Sequence, residues 1–207
     1  ADIAPPAQPP GANPEPSSEF TQVRMVAETV LIDVLADTPA GSLGRARVTA
    51  DFSMRNLGSV AESMAARFPI SANDGFSNYP EIGNLQIQVN GKTVPTRRIM
   101  GEDPYYGSDL VPWVEFDVTF PPGQDVNIRV SYHLSGMGEY PFVSFNYIMA
   151  TGTGWNDTIG SADLILRLPY AANTYNVILD QQIGWSQTTA GATLVGNEVR
   201  WRYADLE

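Results

Sequence analysis

The 207-residue chain contains no cysteine, which excludes disulfides, thiolate metal sites and cysteine nucleophiles. It holds a single histidine, His133, so zinc sites built from several His or Cys ligands are excluded as well. Lysine is almost absent: Lys92 stands alone, and the other eleven basic residues are arginine. No run approaches the roughly 18 apolar residues that cross a bilayer as a helix. Charge is also scarce, at 17% against about 25% for an average soluble domain, while apolar residues make up 43%. That combination excludes disorder throughout, because disordered chains are poor in apolar residues and rich in charge. The charge that remains leans acidic, with 23 Asp and Glu against 12 basic residues and a net charge of −11. Such a chain repels phosphate and has no basic patch to offset it, which argues against nucleic acid.

The ends of the chain suggest a compartment. Ala1-Asp2-Ile3-Ala4-Pro5-Pro6 begins without Met and reads like an end left by a signal peptidase that cuts after small residues. The expectation is a secreted or cell-surface protein. Trp201 to Glu207 stops close behind an expected strand and reads as a cut through a longer protein, with any membrane anchor lying further on. Residues 1–19 carry six prolines (Pro5, Pro6, Pro9, Pro10, Pro14 and Pro16) and form a Pro-rich arm expected to be extended. An extended arm can cover an unpaired strand edge, on its own subunit or on a neighbour's. The second arrangement would make it a device for homo-oligomer assembly.

From Phe20 onward the dominant period is two. Ala46, Val48, Ala50, Phe52 and Met54 alternate with polar residues, as do Leu85, Ile87 and Val89 before the Asn90-Gly91 turn. Val114, Phe116, Val118 and Phe120 follow, then Pro121-Pro122-Gly123, then Val126, Ile128, Val130, Tyr132 and Leu134. Ala162, Leu164, Leu166 and Leu168 form a later strand, and Gly196-Asn197 turns the chain into Val199, Trp201 and Tyr203. No window of helical length keeps a 3.6 period. The fold expected is all-β, an antiparallel immunoglobulin-like β-sandwich. Residues 20–135 have the size of one sandwich. Residues 136–207, after Ser135-Gly136-Met137-Gly138, either complete a second packed sandwich or extend the sheets of the first.

Residues 28–135 resemble the vault-type β-sandwich domain at the head of inter-alpha-trypsin-inhibitor heavy chains. The likeness runs through Phe52 to Asn56 before a turn, Glu62 leading to Phe68-Pro69-Ile70, Val89-Asn90-Gly91, and Phe116 to Pro121-Pro122-Gly123 with Val126 and Tyr132. That domain usually carries a helical insertion, whereas here residues 96–111 are a short loop rich in Gly, Pro, Asp and Tyr. Its common partner module carries an Asp-x-Ser-x-Ser metal motif. The nearest match, Asp51-Phe52-Ser53-Met54-Arg55, breaks at the last position and lies in a strand. Tyr147-Ile148-Met149-Ala150-Thr151-Gly152, with Trp155 and Ile159-Gly160, resembles a signature of secreted bacterial proteins grouped as a domain of unknown function. The resemblance implies a secreted or surface-exposed all-β protein and supplies no catalytic residue.

The search for chemistry ends mostly in structural readings. His133 falls on the polar face of a regular strand and no Gly-x-Ser-x-Gly elbow exists, so a hydrolase triad is not expected. Gly152-Thr153-Gly154 precedes Trp155 without opening a helix, which excludes a P-loop, and Trp155 reads as a core plug. Asn156-Asp157-Thr158 fits both a glycosylation sequon and a turn. One loop holds a real alternative. Glu102, Asp103 and Asp109 are oxygen donors suited to Ca²⁺, and Tyr105, Tyr106 and Trp113 could stack on a sugar. The same residues also fit a soluble acidic loop with aromatics packed beneath it. Taken together, the sequence predicts no enzyme and no resident cofactor other than that Ca²⁺. It predicts a non-catalytic structural or assembly module of the bacterial cell surface, with a glycan- or calcium-binding module on the 101–113 loop as the alternative.

Overall fold

The computed structural model describes residues 3, 21–38, 40–72, 80–103, 110–149, 154–179, 182–183, 186–187 and 190–206. Among them there is no α-helix, in keeping with the period of two. Thirteen strands appear in chain order: β1 (Val23–Val34), β2 (Arg45–Asn56), β3 (Glu62–Pro69), β4 (Gly83–Val89), β5 (Lys92–Thr93), β6 (Arg97–Glu102), β7 (Leu110–Phe120), β8 (Asp125–Ser135), β9 (Ile159–Arg167), β10 (Gln182–Ile183), β11 (Ser186–Gln187), β12 (Thr193–Val195) and β13 (Glu198–Leu206). They form an eight-stranded sheet in the order β12-β13-β9-β1-β2-β8-β4-β5, a three-stranded sheet β3-β7-β6, and the small hairpin β10-β11.

Alternation decides which side chains meet. On β2 the even-numbered residues Ala46 to Met54 turn inward, and on β8 Val126, Ile128, Val130 and Tyr132 do the same. The three-stranded sheet answers with Ala66 and Phe68 from β3 and Phe116, Val118 and Phe120 from β7. All of these are buried, including the expected core residues Ala46, Val48, Phe52, Val118, Ile128 and Val130. Each large side chain withdrawn from water contributes about 1.5–3 kcal/mol. Phe68 from one sheet meets Tyr132 from the other with ring centroids 5.7 Å apart.

One pairing departs from the antiparallel expectation. β1 pairs antiparallel with β2 on one side and parallel with β9 on the other, with Glu28 opposite Ala162 and Ile32 opposite Leu166. A tight turn cannot join parallel neighbours, so the chain spends residues 136–158 crossing from β8 to the far side of β1. β9, β12 and β13 thus extend the large sheet that the first 135 residues begin. A bulge between Met25 and Ala27 changes the phase of β1, so that Val23 and Met25 face the core before it and Glu28, Val30 and Ile32 after it. The bulge pushes the Val26 carbonyl toward β9. A Cβ on Gly160 would lie 2.5 Å from that oxygen, which accounts for the glycine there.

Candidate functional site

The 101–113 segment, expected to be a loop, is partly strand: Gly101 and Glu102 end β6 and Leu110 to Trp113 begin β7. Glu102 is exposed at the end of β6, whereas Asp103 is only 3% exposed. Trp113 is buried on β7. Its Nε1 donates to the Glu102 carbonyl oxygen at 3.1 Å, and its ring lies so close to Gly101 that a Cβ there would come within 2.9 Å. Tyr105, Tyr106 and Asp109 lie outside the described residues. No group of three acids or histidines able to hold a metal occurs among the described residues.

The outer face of the large sheet offers a better-defined place. A hollow of about 490 Å³ opens over β1, β2, β8 and β4. The strand registers give its shape. One cross-strand row runs Thr29, Asp51, Arg129, Gln88. The next runs Ala27, Ser53, Asn127 and ends at the Asn90-Gly91 turn, where the Asn127 amide donates to Asn90 Oδ1 at 2.9 Å. Beyond it Arg55 stands opposite Asp125. The middle row is built of small side chains, so it forms the floor. One flanking row forms a wall, held by the bidentate Arg129–Asp51 ion pair at 2.6 and 3.1 Å, while the Arg55–Asp125 pair, at 2.6 and 2.7 Å, stands in the row beyond and does not line the hollow. Thr29, Ser53, Gln88 and Asn127 line this trough with hydroxyl and amide groups that make no side-chain hydrogen bond to another described residue.

Charge on this face cancels internally. Each of the eleven arginines takes part in an ion pair. The hydrogen bond from Arg55 holds Asp125 below the usual carboxylate range. On the smaller sheet Arg97, and then Arg67, do the same for Glu115. Arg200 and Arg167 both engage Glu198 and lower it in the same way. An anion entering the trough would have to draw Arg129 off Asp51, and a cation would have to draw Asp51 off Arg129. A neutral hydroxyl-bearing molecule needs neither.

His133 lies on the same outer face, with Nδ1 3.0 Å from Asn84 Nδ2. Its ring partner is a neutral amide, with no carboxylate or nucleophile bonded to it.

A solved structure shares this fold. A "putative nutrient binding protein" from Legionella pneumophila aligns with TM-score 0.73 at 20% identity over 90% of this chain. The alignment covers 64% of that protein, so this chain spans less than two thirds of its length. At that identity the likeness establishes the fold alone. A two-domain M1 zinc metallopeptidase aligns at TM-score 0.38 and 8% identity, over 89% of this chain and 39% of that one, which carries no argument. No family model and no curated protein matches the chain.

Sequence reasoning missed one residue inside the core. Glu28 on β1 is 2% exposed. Tyr147 donates its hydroxyl to Glu28 Oε1 at 2.6 Å, while Oε2 has no hydrogen-bond partner. Burial pushes its carboxyl above the ordinary value, and the Tyr147 hydrogen bond pulls it partway back. Burial also raises the phenol of neighbouring Tyr132, with the Glu28 charge adding to the effect. A signal existed: Glu28 shares the phase of Val30 and Ile32, whose alternation marks the core face.

Proposed function

We propose that the chain is a non-catalytic extracellular module, an immunoglobulin-like β-sandwich with a mixed larger sheet, that holds a small neutral polar solute in the trough on its outer face. The observation that carries this reading is the trough itself: a floor that includes Ala27, Ser53 and Gly91, a wall fixed by the bidentate Arg129–Asp51 ion pair, and four polar side chains with hydrogen-bonding capacity to offer. Its volume lies in the range of small-molecule sites. The description of the Legionella protein as nutrient binding agrees with it, as does the resemblance of the 147–160 segment to secreted bacterial proteins. Titration calorimetry with a panel of neutral sugars and polyols, zwitterionic amino acids, phosphate and Ca²⁺ tests it. Heat from a neutral polyol, lost in Ser53→Trp, is expected. Silence across the neutral compounds, or binding unaffected by filling the trough, refutes it.

A role in surface assembly is the second reading, favoured by a different observation. Tyr140 (87% exposed), Phe142 and Val143 crown a hairpin closed by Met137–Ser144 backbone bonds of 3.0 and 2.7 Å, beside exposed Leu43. Val143 and Phe145 pack on Gly44, which joins the two loops into one apolar patch. Loss of concentration-dependent association in Tyr140→Ser would favour assembly through this patch, and unchanged association would exclude it.

A further inference from the structure

The trough runs across the strands, not along them. Its residues come in turn from β1, β2, β8 and β4, which lie side by side in the large sheet, and from the turn after β4. Neighbouring strands stand about 4.8 Å apart, so the hollow is about 14 Å long over three such steps. Its two rows lie two residues apart along each strand, which sets a width of about 7 Å. Each strand contributes one polar side chain with bonding capacity to spare: Thr29 from β1, Ser53 from β2, Asn127 from β8 and Gln88 from β4. Thr29 and Gln88 stand at the two ends of one row, with Asp51 and Arg129 paired between them. Ser53 and Asn127 stand opposite each other in the next row.

A compact molecule one strand spacing across meets one or two of these groups and leaves the others to water. All four are met only by a molecule that repeats its hydrogen-bonding groups at about the strand spacing, over about 14 Å. An extended peptide advances about 3.4 Å per residue and falls out of step with them. A linear chain of pyranose rings carries hydroxyls on every ring and advances by close to one strand spacing at each linkage. We infer that the trough, taken as the binding site proposed above, holds a neutral linear oligosaccharide of about three sugar units, laid across the strands from Thr29 to Gln88. Recognition rests on hydrogen bonds, because the one aromatic among the described lining residues, Phe52, is buried and turns its ring to the core. The Asp51–Arg129 pair stays closed beside the central unit, since a neutral ring draws neither partner away from the other.

Titration calorimetry on the full chain tests it, with neutral oligomers of one to five units of the cellulose, laminarin, amylose, mannan and chitin types. In at least one series affinity should climb about 2- to 10-fold with each unit up to the trimer, the effect of one net hydrogen bond, and then level off. Thr29→Ala and Gln88→Ala, at opposite ends of the hollow, should each weaken that trimer by a similar factor. Neither side chain is buried, so both variants should fold as wild type does. A single sugar bound as tightly as its trimer overturns the inference, as does affinity still climbing at five units, or a trimer not weakened by both variants. Each of these leaves the proposed function standing. So does silence from every series when a small polyol gives heat that Ser53→Trp abolishes, and that result also overturns the oligosaccharide. Silence from all neutral compounds overturns both.

Discussion

Asn56 closes the end of β2 and is fully buried. Its Nδ2 donates to the Val60 carbonyl at 2.8 Å and the Phe120 carbonyl at 2.9 Å, and its Oδ1 accepts from the Gly58 amide at 2.8 Å. One amide thus ties the large sheet to the end of β7 in the small sheet and also fixes the 57–61 turn. Asn56→Asp keeps the shape and the bond from Gly58 but replaces two donors by lone pairs aimed at two carbonyl oxygens. Each buried group left unpaired costs about 1–3 kcal/mol. The expected loss at pH 7 is therefore about 3–5 kcal/mol. For a chain of this size that is a fall in melting temperature of about 6–20 °C, at 2–4 °C per kcal/mol. The sign of the pH dependence follows from the same geometry. The introduced carboxyl faces acceptors in a buried site, so its folded-state value is raised, and its protonated form recovers one donor. The penalty should shrink as pH falls from 7 toward 4. Urea unfolding followed by tryptophan fluorescence at the two pH values measures both effects. A variant within about 0.5 kcal/mol of wild type at pH 7, or one more damaged at pH 4 than at pH 7, would refute the reasoning.

Two further outcomes are expected. Glu28 has its folded-state carboxyl raised by burial, so the folded state holds this proton more tightly than the unfolded state does. Its contribution is fullest below the unfolded value near 4.5 and is lost as pH rises from there, at up to about 1.4 kcal/mol per pH unit; Glu28→Gln should remove that slope from denaturation curves between pH 4.5 and 7. Phe52→Ala should cost about 3–5 kcal/mol through the cavity it opens, whereas His133→Ala, on the outer face, should stay within about 0.5 kcal/mol in the same urea titrations.

The strands were legible because alternation is a local property. Ala46 to Met54 and Val126 to Tyr132 declare one wet and one dry face, and each strand lies where that pattern runs. The parallel partnership of β1 and β9 was not legible, since two strands of the right pattern carry no label for which edge they join or in which direction. Glu28 is in phase with Val30 and Ile32 but out of phase with Val23 and Met25, because the bulge between Met25 and Ala27 resets β1; a single alternation read along the strand therefore does not mark it as inward. The trough escaped for a third reason. Ala27, Ser53, Asn127 and Gly91 are unremarkable in sequence and become a floor only when four strands set them side by side. Asp51 and Arg129 likewise look like ordinary polar-face residues until register pairs them across 78 positions. Trp113 and Asp103 were singled out by residue type, and burial, which type does not reveal, places both inside.

The crossover that brings β9 beside β1 also has a consequence in time. Arg24 and Thr158 are hydrogen-bonded across 134 positions of chain. Synthesis at about 5–20 residues per second leaves β1 without its second neighbour for on the order of ten seconds after it emerges. The β1-β2 hairpin can close early, but the other side of β1 waits, with a row of amides and carbonyls unpaired. Ordering so distant a contact is also slow once the whole chain is present, since the intervening loop must be closed before the pairing gives any return. The interval is when a neighbouring chain can pair with that row instead. A chain stopped at Ser135 would keep the row open for good.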